Sequence, residues 1–337
     1  MTQAPFSPPW WARNPHIQTI LPVLTKVNAP KLQRQRLELD DGDFIDLDWL
    51  GKPAANQPIV VLVHGLEGSA ESHYARRLLH SLSLRQTCAV VHHHRSCSGV
   101  TNRLARSYHS GDTQDLHTSL SAIAAQYPGS PLLAVGYSLG GNVLTKYLGE
   151  KNDNSLIEKA VVVSAPLQLA ACATRLRNGF SKVYQSYLIK QLQQKVYDKL
   201  AIPALSAQMP VTQVQVKQLT TFHLFDDMVT APLHGFNGVE DYYHRASGLP
   251  YLRHITKPTL VMHAKDDPFM NNEVIPTLDQ LSAQVTYELH NYGGHVGFIE
   301  GGTPFKPQYY LEKRIIHFLL DQQGESPSQE APYASPL

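Results

Sequence analysis

Short runs of consecutive apolar residues, rich in valine and isoleucine, recur along this chain and constrain its fold more than any other feature. Ile59–Val63 reads IVVLV, and a run that is apolar at every position is typical of a strand buried on both faces of a sheet. On this basis, and from alternating patterns near the start, the predicted strands are Leu37–Leu39, Phe44–Leu50, Ile59–Val63, Cys88–Val91, Leu132–Val135, Ala160–Val163, Thr259–Met262 and Val285–Leu289.

Helical segments alternate with these strands. The pattern predicts helices over Ser72–Leu84 and Asp112–Gln126, a helix that begins at Leu139, and a final helix that includes Ile315–Leu320. Buried strands that alternate with helices indicate an α/β fold, in which helices cover both faces of a mostly parallel central sheet.

The two ends of the chain depart from this alternation. Residues 1–30 contain six prolines, which disfavour a long helix, so we expect an irregular arm packed on the body. Residues 324–337 are rich in Pro, Ser, Gln and Glu, and we expect a disordered tail. The remaining chain, with the arm included, predicts one domain over residues 1–323.

A third departure lies in the middle, where residues from about 165 to 250 contain no signal of a buried strand. An apolar residue recurs there at every fourth position, as in an amphipathic helix: Tyr184, Leu188, Leu192, Val196 and Leu200. We expect this insertion to form a helical cap over the carboxyl edge of the sheet, where α/β proteins bind ligands.

Composition excludes several classes of protein. Lys and Arg total 29 against 28 Asp and Glu, a near balance that argues against a protein devoted to binding nucleic acid. No stretch approaches the roughly 18 apolar residues of a transmembrane helix, and no signal peptide is evident. The three cysteines are too few and too widely spaced for a disulfide framework or a zinc site, which favours a reducing, cytoplasmic location.

Gly136–Gly140 has the sequence G-Y-S-L-G, a G-x-S-x-G motif between a predicted strand and a predicted helix. That is the setting of a nucleophile elbow, in which a sharp turn exposes a serine hydroxyl at the edge of the sheet. A plain glycine-rich turn is the alternative. The context favours Ser138 as a catalytic nucleophile.

A serine hydroxyl needs a base, and in this architecture the base follows the last strand. His295 follows Val285–Leu289 on a loop that contains two adjacent glycines, so it is the candidate general base; His290, closer to the strand, is the alternative. No group of residues has the spacing of a metal site, and we expect no cofactor.

The acid should follow the preceding strand, where two aspartates are adjacent. The loop spacing counted from Ala264 favours Asp267, which leaves Asp266 as a hydrogen-bonding or solvent-facing neighbour. The order Ser138, Asp267, His295 is the Ser…Asp…His order of α/β-hydrolases.

A tetrahedral intermediate needs hydrogen-bond donors for its oxyanion. The H-G turn that follows IVVLV predicts the backbone N–H of Leu66 as one donor, and the N–H of Leu139, after the nucleophile, as the other. A phosphate-binding loop is the alternative, but Gly68-Ser69-Ala70 lacks the lysine that such a loop carries.

Two further patterns are ambiguous. His92-His93-His94 suggests a metal site, yet on a strand these side chains alternate between faces, so we favour a packing role. Basic residues of the insertion could meet an anionic membrane, although a solvated helix face is the commoner explanation. These residues are Arg175, Arg177, Lys182, Lys190, Lys195 and Lys199.

Together these motifs resemble the YheT-like esterases of the α/β-hydrolase superfamily, over nearly the whole chain. The matching segments are Asn14–Thr19, Val63–Gly68, Arg95–Gly99, Ser107–Gly111, Gly136–Asn142, Phe225–Asp227, Thr230–Pro232, Asp266–Phe269 and Gly293–Phe298. The family pattern has glycine where this chain has Ser96. The resemblance implies hydrolysis of carboxylic esters, with short-chain or lipid esters as substrates.

The sequence therefore predicts a serine esterase that acts on a small-molecule or lipid ester through an acyl-enzyme intermediate. An acyltransferase or a thioesterase would use the same triad. A non-catalytic binding protein on a hydrolase fold is the alternative from another class, and it predicts a damaged triad.

Overall fold

The structure is a computed structural model that describes residues 6–25 and 27–321. The predicted tail, residues 324–337, lies outside the described residues. An eight-stranded sheet with the order β1-β2-β4-β3-β5-β6-β7-β8 forms the centre of the molecule. Its strands are β1 Gln33–Glu38, β2 Phe44–Leu50, β3 Ile59–Val63, β4 Cys88–His92, β5 Leu132–Tyr137, β6 Ile157–Val163, β7 Thr259–Ala264 and β8 Val285–His290.

The sheet is mostly parallel, as the sequence predicts. Every neighbouring pair from β4 to β8 is parallel, whereas β2 is antiparallel to both β1 and β4. Val63 pairs with His92 on one side and Gly136 on the other, so three strands end together at one edge. The loops that follow β3, β5, β7 and β8 therefore meet at this carboxyl edge.

Helices cover both faces of the sheet, which confirms the predicted α/β architecture. Residues of α3 (Thr113–Gln126) and α4 (Leu139–Lys151) pack with one set of strand side chains, including Val61. Residues of α2 (His73–Leu84) and α12 (Leu311–Ile316) pack with the opposite set, including Val60. Because successive strand residues point to opposite faces, these two cores explain why β3 is apolar at every position.

The residues between β6 and β7 are helical. In this segment α6 (Ser181–Leu200) confirms the predicted amphipathic helix. The other helices are α5 Leu169–Leu176, α7 Pro203–Ser206, α8 Gln213–Val216, α9 Phe222–Phe225, α10 Ala231–Leu233 and α11 Val239–Ala246, with a π-helical turn at Asp226–Thr230 and a 3₁₀ turn at Leu249–His254.

The irregular arm predicted for residues 1–30 is wrong in one part, because residues Pro15–Leu24 form a helix, α1. The Asn14 side chain accepts hydrogen bonds from the backbone N–H of His16 (2.8 Å) and of Ile17, and so caps the helix. Pro15 occupies the first helical position, where its missing N–H costs nothing. Only Pro22 lies inside the helix.

The prediction that Val285–Leu289 is the last strand is also wrong. A two-stranded antiparallel sheet follows, made of β9 (Ile299–Thr303) and β10 (Lys306–Tyr309). Glycines 301 and 302 and Pro307 weaken the strand pattern there, which is why the sequence hides this hairpin. In the part of the chain that the structure describes, no helix is both long enough and apolar enough to cross a membrane.

Candidate active site

Ser138 lies on the sharp turn between β5 and α4, with φ 51° and ψ −122°, a conformation that non-glycine residues rarely adopt. The surrounding backbone is tightly packed, since a Cβ on Gly140 would lie 2.3 Å from the carbonyl oxygen of Val63. A Cβ on Gly136 would lie 2.6 Å from the carbonyl oxygen of Gly140. Close packing therefore requires both glycines of the G-x-S-x-G motif, and the turn presents Ser138 at the carboxyl edge of the sheet.

His295 reaches Ser138 from the loop after β8. Its Nε2 lies 2.9 Å from the Ser138 Oγ, and its Nδ1 lies 2.8 Å from the Asp267 Oδ2. Gly293 and Gly294 have φ values of 147° and 55°, which let the loop turn back over the sheet. The structure thus brings the three predicted residues into one hydrogen-bonded line.

The alternative base, His290, ends strand β8 away from this line. Its ring packs edge-on against Phe298 and Tyr310, with centroid distances of 5.6 and 5.7 Å. The structure therefore does not bring His290 to Ser138.

The two adjacent aspartates on the loop after β7 have different partners. Asp267 is almost fully buried and accepts a hydrogen bond from the Phe269 N–H (2.8 Å) in addition to its contact with His295. Asp266 instead accepts from the backbone N–H of Gly294 (2.9 Å), so it is a hydrogen-bonding neighbour and not a solvent-facing one. Burial raises the pKa of Asp266 to about 6.

The loop that carries His295 is also held by α1, a contact that the sequence patterns did not predict. The Thr19 hydroxyl accepts a hydrogen bond from the His295 N–H (3.0 Å). The buried Gln18 side chain accepts from the Ile299 N–H (2.7 Å) and donates to the Ile299 carbonyl oxygen. A Cβ on Gly297 would lie 2.0 Å from the Gln18 carbonyl oxygen, so helix and loop are in direct contact. The only sequence signal was the matching segment Asn14–Thr19.

The two predicted oxyanion donors lie beside Ser138. In the loop after β3, Gly65 N–H donates to the Tyr74 hydroxyl, Glu67 N–H donates to the Tyr108 hydroxyl, and Gly68 N–H donates to the Gly65 carbonyl. Within the described residues the Leu66 N–H has no such partner. Leu139 is the first residue of α4, where a backbone N–H has no partner inside the helix. Both N–H groups are therefore free to bind an oxygen.

A cavity of about 1130 Å³, counted with its open mouth, extends from Ser138 beneath the helices between β6 and β7. Phe269 forms one wall next to the site, where its ring stacks on that of His295 with centroids 3.9 Å apart. The other walls are mostly aliphatic and aromatic, and they include Leu66, Leu169, Leu188, Leu192, Val196, Phe222, Phe225 and Val229. Walls of this apolar composition suit an acyl chain.

Two lysines of α6 contradict the expectation of a solvated basic face. Lys199 is only 2% exposed, and its Nζ donates to the carbonyl oxygens of Leu104, Ala105 and Arg106 at 2.8–3.0 Å. Burial lowers the pKa of Lys199 to about 7. Lys195 forms an ion pair with Glu67 at 2.9 Å. Both lysines face inward because they lie three and seven residues after Leu192, on the cavity side of the helix.

The remaining basic residues of this segment are more accessible. Arg177, Lys182 and Lys190 are exposed, as a solvated face predicts, and Arg175 is half-buried.

Asp226 places a carboxyl group in the cavity wall. It accepts hydrogen bonds from the Thr230 hydroxyl (2.7 Å) and from the Tyr243 hydroxyl (2.9 Å). Burial raises the pKa of Asp226 to about 6. This residue belongs to a matching segment, but the sequence patterns assigned it no role.

The three consecutive histidines each have a different partner. His92 Nδ1 lies 2.9 Å from the Ser119 hydroxyl, His93 Nε2 lies 2.9 Å from Asp48, and His94 Nε2 lies 3.1 Å from the His64 carbonyl oxygen. Burial lowers the pKa of His94 to about 4. Across residues 6–25 and 27–321, no group of three His, Cys, Asp or Glu side chains is arranged to hold a metal ion.

Comparison with known proteins gives the same architecture. A family profile described as "alpha/beta hydrolase fold" matches residues 58–302. The chain is 44% identical over 321 residues to "Putative esterase YheT" of Escherichia coli (strain K12), with 94% of each chain covered. It is 29% identical to "Phospholipase ABHD3" of Homo sapiens (95% of this chain, 80% of that protein) and 29% identical to "Monoacylglycerol lipase" of Saccharomyces cerevisiae (81% and 63%).

Solved structures resemble the chain in fold. The esterase Pf2001 of Pyrococcus furiosus superposes with a TM-score of 0.56 at 15% identity, over 89% of this chain and 98% of that one. A bacterial membrane phospholipase A superposes with a TM-score of 0.53 at 16% identity, over 90% and 88% of the two chains. At such identities the likeness shows the fold alone.

Proposed function

This chain belongs to the α/β-hydrolase family, among the YheT-like proteins, and we propose that it is a serine esterase that hydrolyses carboxylic esters. One observation carries the proposal: the hydrogen-bonded line from Asp267 through His295 ends at Ser138, which lines an apolar cavity. A nucleophile, a base and an orienting acid in this order constitute a complete acyl-transfer site.

In the first half of the reaction, the Ser138 Oγ attacks the ester carbonyl carbon while the His295 Nε2 takes the hydroxyl proton. The Asp267 carboxylate accepts the His295 Nδ1–H, which fixes the tautomer and stabilises the imidazolium. The N–H groups of Leu66 and Leu139 donate to the carbonyl oxygen as it becomes negative. When the tetrahedral intermediate collapses, the ester C–O bond breaks and His295 returns the proton to the leaving alcohol.

In the second half, His295 takes a proton from water as the water oxygen attacks the acyl-enzyme carbonyl carbon. The second tetrahedral intermediate collapses, the bond to the Ser138 Oγ breaks, and the proton on His295 returns to that oxygen. The products are a carboxylic acid and the free enzyme, so no redox partner takes part.

We assign the acyl part of the substrate to the cavity beneath the helices of residues 165–250, which act as a cap in this proposal. The aliphatic and aromatic walls favour an acyl chain over a charged group. Relatives named as a phospholipase and a monoacylglycerol lipase support a lipid ester as substrate. A cytoplasmic location is also proposed, supported by three cysteines that are all unpaired.

Hydrolysis of p-nitrophenyl esters of increasing chain length tests the proposal. We expect the wild type to release nitrophenol, and Ser138→Ala to reduce turnover by several orders of magnitude. Ser110→Ala is the matched control, because Ser110 also lines the cavity but lies outside the hydrogen-bonded line. Turnover by Ser138→Ala above about a tenth of the wild-type rate would refute the assignment.

A further inference from the structure

An exposed apolar surface runs across α1 and the start of α6, and we call it the arm–cap face. On α1 it comprises Ile17, Ile20, Val23 and Leu24, whose exposed fractions range from 38% to 70%, while the opposite side of the helix is buried. On α6 and the residue before it, Phe180, Val183 and Tyr187 are 50%, 54% and 64% exposed. Residues three and four apart share one side of a helix, so each set forms a stripe.

The two stripes are joined by His16. Its ring lies 4.4 Å from that of Phe180, and its Nδ1 lies 2.9 Å from the Tyr184 hydroxyl. The first turn of α1 therefore contacts the first turn of α6. The arm–cap face is a single surface contributed by two distant parts of the chain.

The arm–cap face lies close to the candidate active site. Leu188 and Leu192 line the cavity from α6, and Tyr184 lies between them and the exposed stripe on the same helix. The Tyr184 ring lies 5.0 Å from that of Phe269, which in turn stacks on His295. Two ring contacts thus connect the exposed surface with the catalytic histidine.

The charged side chains that α1 and the first half of α6 contribute are all positive. The sequence contains no Asp or Glu in residues 6–25 or in residues 159–197, the two segments whose helices carry the face. Among the described residues, Arg13, Arg175, Lys182 and Lys190 have no carboxylate within ion-pair distance. An apolar stripe flanked by unneutralised cations fits a surface that offers both hydrocarbon and negative charge.

We propose that the arm–cap face binds the surface of an anionic lipid bilayer. The apolar stripes enter the boundary between headgroups and acyl chains, and the basic residues contact the anionic headgroups. A second copy of the chain fits less well, because self-association through this face would bring like charges together. Binding of the bilayer does not require that the protein hydrolyse esters. Delivery of a lipid ester to Ser138, in contrast, rests on the proposed function.

Vesicle flotation tests the proposal on the full chain with Ser138→Ala, so that lipids are not hydrolysed. The probes are vesicles of phosphatidylcholine alone and of phosphatidylcholine mixed with phosphatidylglycerol. We expect binding to the mixed vesicles that weakens as salt is added. Val183→Ser combined with Tyr187→Ser should lower the bound-to-free ratio about tenfold, because two apolar groups leave the interface. Lys190→Glu should also lower the bound-to-free ratio on the mixed vesicles, because it replaces a positive charge that faces the anionic headgroups with a negative one.

Matched controls lie at the opposite edge of the molecule. Leu84, which is 74% exposed, and Arg253 both precede the amino ends of strands, Leu84 before β4 and Arg253 before β7. Leu84→Ser and Arg253→Glu change the same kinds of residue, and both should leave flotation unchanged. Equal losses in the control variants would overturn the proposal.

Three other results are decisive. Absence of flotation with both kinds of vesicle would overturn the proposal. A dimer in light scattering that dissociates in the Val183→Ser, Tyr187→Ser variant, without vesicle binding, would assign the face to a second copy instead. Flotation that behaves as expected in a protein whose wild type cleaves no ester would sustain the proposal while refuting the proposed function.

Discussion

Asp266 and Gly294 are joined by a hydrogen bond of 2.9 Å from the Gly294 N–H to the Asp266 Oδ1. The neighbouring Asp267 contacts the ring of His295, the residue after Gly294. Two consecutive carboxylates on one loop therefore hold two consecutive residues of another loop. One fixes the backbone and the other fixes the imidazole, so adjacent aspartates have separable roles.

The first prediction separates these aspartates. Asp267→Asn should lower turnover by roughly 10⁴, because an amide favours the wrong imidazole tautomer. Asp266→Asn should lower turnover far less, since the amide oxygen can still accept a hydrogen bond from the Gly294 N–H. Turnover of one small ester measures both, with circular dichroism as the control for folding. A large loss at Asp266 with near-normal turnover at Asp267 would reverse the assignment.

The second prediction concerns Thr19 as a positioning residue. Thr19→Val removes the acceptor for the His295 N–H, and we expect turnover to fall about tenfold, which corresponds to about 1.4 kcal/mol, the scale of one hydrogen bond. KM should change little, because Thr19 does not line the cavity. Thr25→Val is the matched control, since the Thr25 hydroxyl donates to the Leu21 carbonyl and also bonds the Tyr309 side chain, not the loop of His295. A pure KM effect would contradict this role.

The third prediction concerns Lys199. Lys199→Met should lower the free energy of unfolding by about 1–3 kcal/mol, because buried carbonyl oxygens lose their donor. Lys190→Met on the exposed side of the same helix should change it by less than about 0.5 kcal/mol. Urea unfolding of the two variants makes the comparison. Equal changes in the free energy of unfolding would mean that the hydrogen bonds of Lys199 contribute no more to stability than those of a surface lysine.

The fourth prediction concerns pH and Asp226. Its pKa of about 6 in the folded protein lies above the ordinary value for aspartate, so folding favours the protonated form. The contribution of Asp226 to the free energy of unfolding should therefore fall as pH rises from about 4 to 6, and then level off. Asp226→Asn does not titrate, so the difference between wild type and variant should change by on the order of 2 kcal/mol between pH 4 and pH 7. Urea unfolding at both pH values measures it. Parallel pH profiles would contradict a titrating Asp226.

Sequence patterns predict an element well when all of its residues lie in the same kind of environment, such as the buried interior. Ile59–Val63 is buried on both faces, so its composition alone predicts a central strand. Ser138 and His295 could be chosen because glycines mark their turns and because strand order fixes their place at the sheet edge.

The contacts that the sequence did not predict depend on tertiary packing. The prolines in and around α1 conceal this helix in the sequence. Its contact with the loop of His295 joins Thr19 to a residue 276 positions later, and no local pattern indicates such a contact. From the sequence, Lys199 resembles a surface lysine. Its burial depends on the loop around Ala105, which is distant in the sequence and packs over it. Ser96, where the family resemblance predicts glycine, adopts a φ of 63°, and its hydroxyl accepts a hydrogen bond from the Asn102 N–H, so side-chain bonding accompanies a strained backbone.

The most direct test of Ser138 as the nucleophile is to treat the protein with a fluorophosphonate, which reacts with an activated serine, and to map the modified residue by mass spectrometry of peptides. We predict a single adduct on Ser138 that is absent from Ser138→Ala and forms much more slowly in His295→Ala, because the base activates the hydroxyl. An adduct on another serine, or undiminished labelling of Ser138→Ala, would contradict this assignment.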